Sequence, residues 1–134
     1  LDVVDTINRQ RISEGHPAWP IRIGLHSGPL IAGVVGEKKF AYDVWGDTVN
    51  LASRMESNGA PGRVNVTGAV VALVEQYVIC EPRGLITVKG KGDIASWFID
   101  RLRPEYSADD RGHRPNDVLL SERKNVQRTA LSGL

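Results

Sequence analysis

YDVWGDTVNLASRMES, residues 42 to 57, decides how the rest of this 134-residue chain is read. Phe40 to Trp45 is a short β-prone run that Gly46 breaks. Asp47 is a residue type favoured at helix N-caps, and Thr48 to Glu56 reads as one amphipathic helix. Val49, Ala52 and Met55 recur at helical spacing and mark its apolar face. Asn50 and Arg54 lie four apart, which stacks them on another face. Asn58-Gly59 supplies a helix stop.

The polar residues of this stretch carry complementary chemistry. Arg54 keeps its charge at any physiological pH, and its planar fork suits phosphate oxygens. Asn50 offers a donor and an acceptor. Asp43, at a strand end, can accept hydrogen bonds from an exocyclic amine. Base, sugar and phosphate could thus be met by Asp43, Asn50 and Arg54 in that order. On spacing alone, a solvated helix face with a strand-end Asp in a turn explains the same residues.

Upstream, Leu1 to about Ser13 reads as an amphipathic helix broken at Glu14-Gly15-His16-Pro17. Ile21, Ile23 and Leu25 alternate with Arg22, Gly24 and His26 as in a strand. Ser27-Gly28-Pro29 turns the chain into a second β-prone run, Leu30 to Val35, so two adjacent strands are expected. Gly24, Gly28, Gly33 and Gly36 suit close approach of a ligand. The strand–glycine–strand layout differs from a phosphate-binding strand–loop–helix cradle. Glu37-Lys38-Lys39 reads as a polar loop, and its lysines could attract a polyphosphate.

Downstream, Arg63 to Val66 is a short strand, and Thr67 can cap a helix from Gly68 to Tyr77 that packs through Val70, Val71, Leu73 and Val74. Leu85 to Val88 and Trp97 to Ile99 read as strands around a turn at Lys89 to Asp93. From Pro104 to Leu134 charges of both signs mix with Pro, Gly, Ser and Asn, so a polar, largely disordered tail outside the core is expected.

Composition bounds the rest. A chain of this length holds one domain, and a net charge of +1 gives no sign of a nucleic-acid or membrane-surface partner. Cys80 is the one cysteine, so no intrachain disulfide forms; its apolar surroundings point to a buried structural thiol. No apolar run is long enough to span a bilayer. The chain opens at Leu1 within a helical pattern, and its one methionine is Met55, which is the expected form of a piece from a longer protein.

Three segments together resemble the class III nucleotidyl cyclases, the adenylyl and guanylyl cyclase family. The opening stretch follows the family's Y-D-x-W-G-x-x-V-N-x-A-x-R-M-E-S pattern. IRIGLHSGPLIAGVVG, residues 21 to 36, and RGLITVKGKGDIASWF, residues 83 to 98, resemble two further family segments in the family's order. The resemblance covers about residues 1 to 100. It implies an α+β fold with a ferredoxin-like core, of which residues 1–103 supply the C-terminal portion, without the N-terminal strand and metal-site region. In the family, the hairpin after residue 21 shapes the core and the dimer surface, which makes His26 structural.

The resemblance also implies roles. The family converts a nucleoside triphosphate to the 3′,5′-cyclic monophosphate and pyrophosphate, with two Mg2+ or Mn2+ ions and a site shared between the subunits of a head-to-tail pair. Asp43 would recognise the base, Asn50 would orient the ribose and Arg54 would stabilise charge on the α-phosphate. Lys89 would hold the distal phosphates, a role not carried to Lys91. Asp at position 43 fits adenine, so ATP is the expected substrate, and a homodimer or a second cyclase domain the expected partner. The family's metal carboxylates lie in motifs N-terminal to this segment; Asp2 and Asp5 sit on a helix and do not match them. The expected setting is a cytoplasmic catalytic domain whose parent is free to be membrane-anchored, with the isolated piece inactive. A guanylate cyclase, a non-catalytic pseudocyclase partner and a plain ferredoxin-like interaction module are the alternatives.

Overall fold

The computed structural model describes residues 1–36 and 41–123; the side chains of Val35, Ala41, Tyr42, Asp43 and Trp45, and the expected loop lysines Lys38 and Lys39, lie outside the described set. In chain order the elements are α1 (Asp2–Ser13), β1 (Ile23–Leu25), β2 (Ile31–Val35), β3 (Ala41–Trp45), α2 (Asp47–Ser57), β4 (Val64–Thr67), α3 (Gly68–Val74), β5 (Val78–Val88) and β6 (Gly92–Leu102), followed by a 3-10 turn at Pro104–Tyr106. A helical stretch begins at residue 117. The mixed α+β class agrees with the sequence.

Four strands form the main sheet in the order β1-β4-β6-β5. β1 runs parallel to β4, which requires a crossover, and α2 lies in that crossover. β4 and β5 both run antiparallel to β6. Strand periodicity puts Asn65 and Thr67 of β4, and Ile94, Ser96 and Phe98 of β6, on one face. α2 covers this face. Leu51 and Met55 pack with Val88, Ile86 and Ile94 as the hydrophobic core.

The helix meets the sheet along Thr48, Leu51 and Met55. Val49 and Ala52 are only half-buried, so the apolar stripe is rotated from the expected Val49–Ala52–Met55 line. Thr48 takes an inward position because its hydroxyl donates to the Pro29 carbonyl. Counting apolar residues alone misses such a position. The helix also starts one residue earlier than expected. Gly46, at φ 125°, stands at the N-cap, and Asp47 is the first helical residue, not the cap.

β1 and β2 are not partners. β2 pairs with β3 as a separate two-stranded sheet, with Ile31 opposite Trp45 and Val35 opposite Ala41. Closing the short connection between β2 and β3 costs little chain entropy, and β1 is committed to β4. The glycine of β1 serves packing within the chain. A Cβ on Gly24 would lie 2.0 Å from the Glu56 amide nitrogen and 2.6 Å from the Ala52 carbonyl oxygen, so only glycine lets α2 cross here.

α3 stops at Val74, short of the expected Tyr77, and buries Val70 while Leu73 stays exposed. β5 and β6 are longer than expected, at 11 residues each. Cys80 lies in β5, half-buried, and burial raises its thiol pKa. α1 buries no side chain. It is tied down by polar contacts: Asn8 exchanges two hydrogen bonds with the Trp19 backbone, and Arg11 lies 4.5 Å from the Trp19 ring centroid.

The polar segment after β6 is held more firmly than its composition suggests. The Leu102 amide donates to the Gly112 carbonyl, and the Arg103 amide to that of Tyr77. Tyr106 stacks edge-on against Tyr77 with centroids 5.1 Å apart. His113 reaches back to α1, its Nδ1 2.7 Å from Asp2 Oδ1, and this bond lowers the Asp2 pKa. The expected disorder therefore does not describe residues 104 to 123. These contacts use backbone groups and single side chains, which leave no apolar period in the sequence.

Candidate nucleotide groove

One face of α2 supplies the core and another supplies a groove. Asn50, Ser53 and Arg54 project from the helix on the solvent side. Across from them stands the tight turn between β5 and β6. Asn50, Ser53, Arg54, Val88, Lys89, Gly90, Lys91 and Asp47 line the space between, a cavity of about 630 Å3. Three of the expected site residues, Asn50, Arg54 and Lys89, thus converge on one groove. Asp43 falls in β3 opposite Gly33, four residues before α2 starts at Asp47, and its side chain lies outside the described set.

The turn is built by its glycines. Gly90 and Gly92 have φ of 82° and 76°, values that disfavour other residues. The Lys91 amide closes the turn by donating to the Val88 carbonyl at 2.9 Å, and Thr87 Oγ1 donates to Asp93 Oδ1 at its base. On one side of Lys89, Val88 is buried against Leu51 and Met55. On the other, Lys91 Nζ lies 3.1 Å from Asp47 Oδ2 in the first turn of α2. Nothing in the local sequence marks this pairing, because its members are distant in the chain and each looks solvated.

His26 is not among the residues that line the groove. Its Nδ1 is 2.7 Å from Thr67 Oγ1, so the hydroxyl that was expected to cap α3 is used here instead. Burial, and then the charge of Lys91, hold its imidazole below the ordinary value. The arrangement agrees with a structural His26. Asn65 is a residue that sequence reading passed over. It is fully buried, and its Nδ2 donates at 2.8 Å to the Met55 carbonyl near the end of α2.

The groove has three cationic side chains against one carboxylate, and that carboxylate is engaged by Lys91. Such a lining suits an anion with several phosphates. It does not suit a divalent ion, which needs oxygen ligands, carboxylates above all. Among the described residues no group of three or more His, Cys, Asp or Glu side chains could hold a metal. Among them also, no helix is long and apolar enough to cross a membrane.

Comparison with known proteins places this chain in a family. The adenylate cyclase of Mycobacterium tuberculosis is 42% identical over 99 residues, which is 74% of this chain and 22% of that protein. Guanylate cyclase 32E of Drosophila melanogaster is 47% identical over 92 residues, 66% of this chain and 8% of that protein. The chain thus spans about a fifth or less of these two relatives. Among solved structures, the adenylyl cyclase CyaB from P. aeruginosa superposes with a TM-score of 0.71 at 25% identity, over 79% of this chain and 56% of that one. The catalytic core of a rhodopsin-guanylyl cyclase with converted specificity, in complex with ATPalphaS, gives 0.55 at 40% identity, over 58% of this chain and 42% of that one. Residues 1–101 match the family described as the adenylate and guanylate cyclase catalytic domain, and the chain belongs to that family.

Proposed function

We propose that this chain carries the base, ribose and phosphate half of an adenylate cyclase site, which makes 3′,5′-cyclic AMP and pyrophosphate from ATP. The convergence of Asn50, Arg54 and Lys89 on one cationic groove carries the reading. Lys89 holds the distal phosphates. Asn50 orients the ribose so that its 3′-oxygen faces the α-phosphorus. As that oxygen attacks and pyrophosphate leaves, charge grows on the α-phosphate oxygens, and the fixed cation of Arg54 stabilises it. Asp43 accepts from the exocyclic amine of adenine. That choice of base rests on the identity of residue 43, since relatives of both specificities are similar to this chain.

The groove residues do not fit the two Mg2+ or Mn2+ ions of the family, so the carboxylates for them are taken to come from another segment or subunit. The working unit is then a pair, either a homodimer or a complex with a second cyclase domain. A pseudocyclase partner that binds nucleotide without turnover is the second reading. The presence of Arg54 in the groove favours the first, because binding alone has little use for a charge aimed at the α-phosphate.

The test is cyclic AMP formation from Mn-ATP by this chain mixed with a cyclase domain that keeps its metal carboxylates but lacks the equivalent of Arg54. Activity in the mixture, absent from either alone, is the expected result. A silent mixture in which both proteins are folded and bind ATP would overturn the catalytic reading in favour of the partner reading.

A further inference from the structure

We propose that Asp47 and Lys91 form a clasp that sets the position of Lys89 over α2, which makes them positioning residues for the site; the proposal rests on the nucleotide reading above. Lys89 opens the tight turn that caps the β5–β6 ladder, where Val88 pairs with Gly92, so its own shape is fixed and its placement over α2 depends on what ties the turn to the helix. Two anchors restrain it. Val88 is buried in the core against Leu51 and Met55. Lys91, past Gly90, is tied to Asp47 at 3.1 Å. Lys89 lies between these anchors, on the groove that Asn50 and Arg54 also line. Breaking the outer anchor leaves the turn tied to α2 at one side only.

The clasp has a signature opposite to that of simple electrostatics. Asp47 is a negative charge on a groove suited to an anion. Removing it should tighten the binding of a polyphosphate if charge alone mattered. A clasp predicts the reverse, because Lys89 loses its place and Lys91 its partner.

The experiment uses the full chain with Asp47→Asn, Asp47→Glu and the charge swap Asp47→Lys/Lys91→Asp. Two quantities are read: the affinity for ATP by calorimetry, and the amide exchange of Gly90 and Lys91 without nucleotide. In Asp47→Asn we expect ATP affinity to fall about three- to fivefold, the scale of one exposed ion pair, and the turn amides to exchange faster by a similar factor. Asp47→Glu keeps both near wild type, and the swap restores most of both. Unchanged or tighter ATP binding by Asp47→Asn overturns the clasp. So does a swap that restores amide protection but not affinity, since Lys91 would then touch phosphate itself. If wild type binds no ATP either alone or paired with a cyclase domain that keeps its metal carboxylates, the nucleotide reading fails, and the amide exchange alone decides whether the clasp holds the turn.

Discussion

Glu56 passes directly over Gly24: a Cβ on that glycine would lie 2.0 Å from the Glu56 amide nitrogen. The obstacle is helix backbone and not a flexible side-chain tip. Gly24→Ala must therefore lift α2 from β1 or break the helix locally. We expect a loss of about 3 kcal/mol or more, at the upper end for overpacking. Chemical denaturation monitored by circular dichroism checks it, and a loss below 1 kcal/mol would show that α2 does not lie this close.

Arg54 is exposed on the groove face of α2, so its removal leaves the core intact. In the paired, metal-loaded enzyme Arg54→Ala should lower turnover by about two to five orders of magnitude while ATP affinity changes little. Turnover within a factor of a few of wild type would remove Arg54 from the reaction.

Base choice gives a separate test. Asp43→Ser should erode the preference for ATP over GTP, read as the ratio of kcat/KM for the two nucleotides in the paired enzyme. An unchanged ratio would mean that another residue reads the base.

Cys80 offers a probe of the sheet edge. Its half-buried thiol has a raised pKa, owing first to burial, so it carries less thiolate at pH 8 than a free cysteine. Alkylation by iodoacetamide should be slower than for the denatured chain and should speed up as pH rises. Equal rates for native and denatured protein would contradict the placement of Cys80 in β5.

Much of the fold could be read from residue order. α2 announced itself through helical spacing between two glycine breaks, and the β5–β6 turn through Lys89-Gly90-Lys91-Gly92. The same stretches hold Asn50, Arg54 and Lys89, but that the three meet in one groove was expected from the family resemblance and not from their spacing. Pairing was harder. The runs that became β1 and β2 are adjacent in sequence, and periodicity says which face a strand buries but not which strand it joins. β1 joined β4 instead. The Asp47–Lys91 contact and the inward Thr48 left no mark, because each depends on a partner from a distant segment.

α2 is both the keel of the domain and one wall of its groove. Thr48, Leu51 and Met55 lock the same 11-residue rod whose opposite side presents Asn50 and Arg54. A rigid rod transmits rotation: repacking beneath Met55 turns Arg54 as well. Substitutions on the buried side of this helix should therefore rarely separate folding from chemistry, whereas its exposed side and the turn that bears Lys89 are where the groove can be retuned without disturbing what holds the sheet.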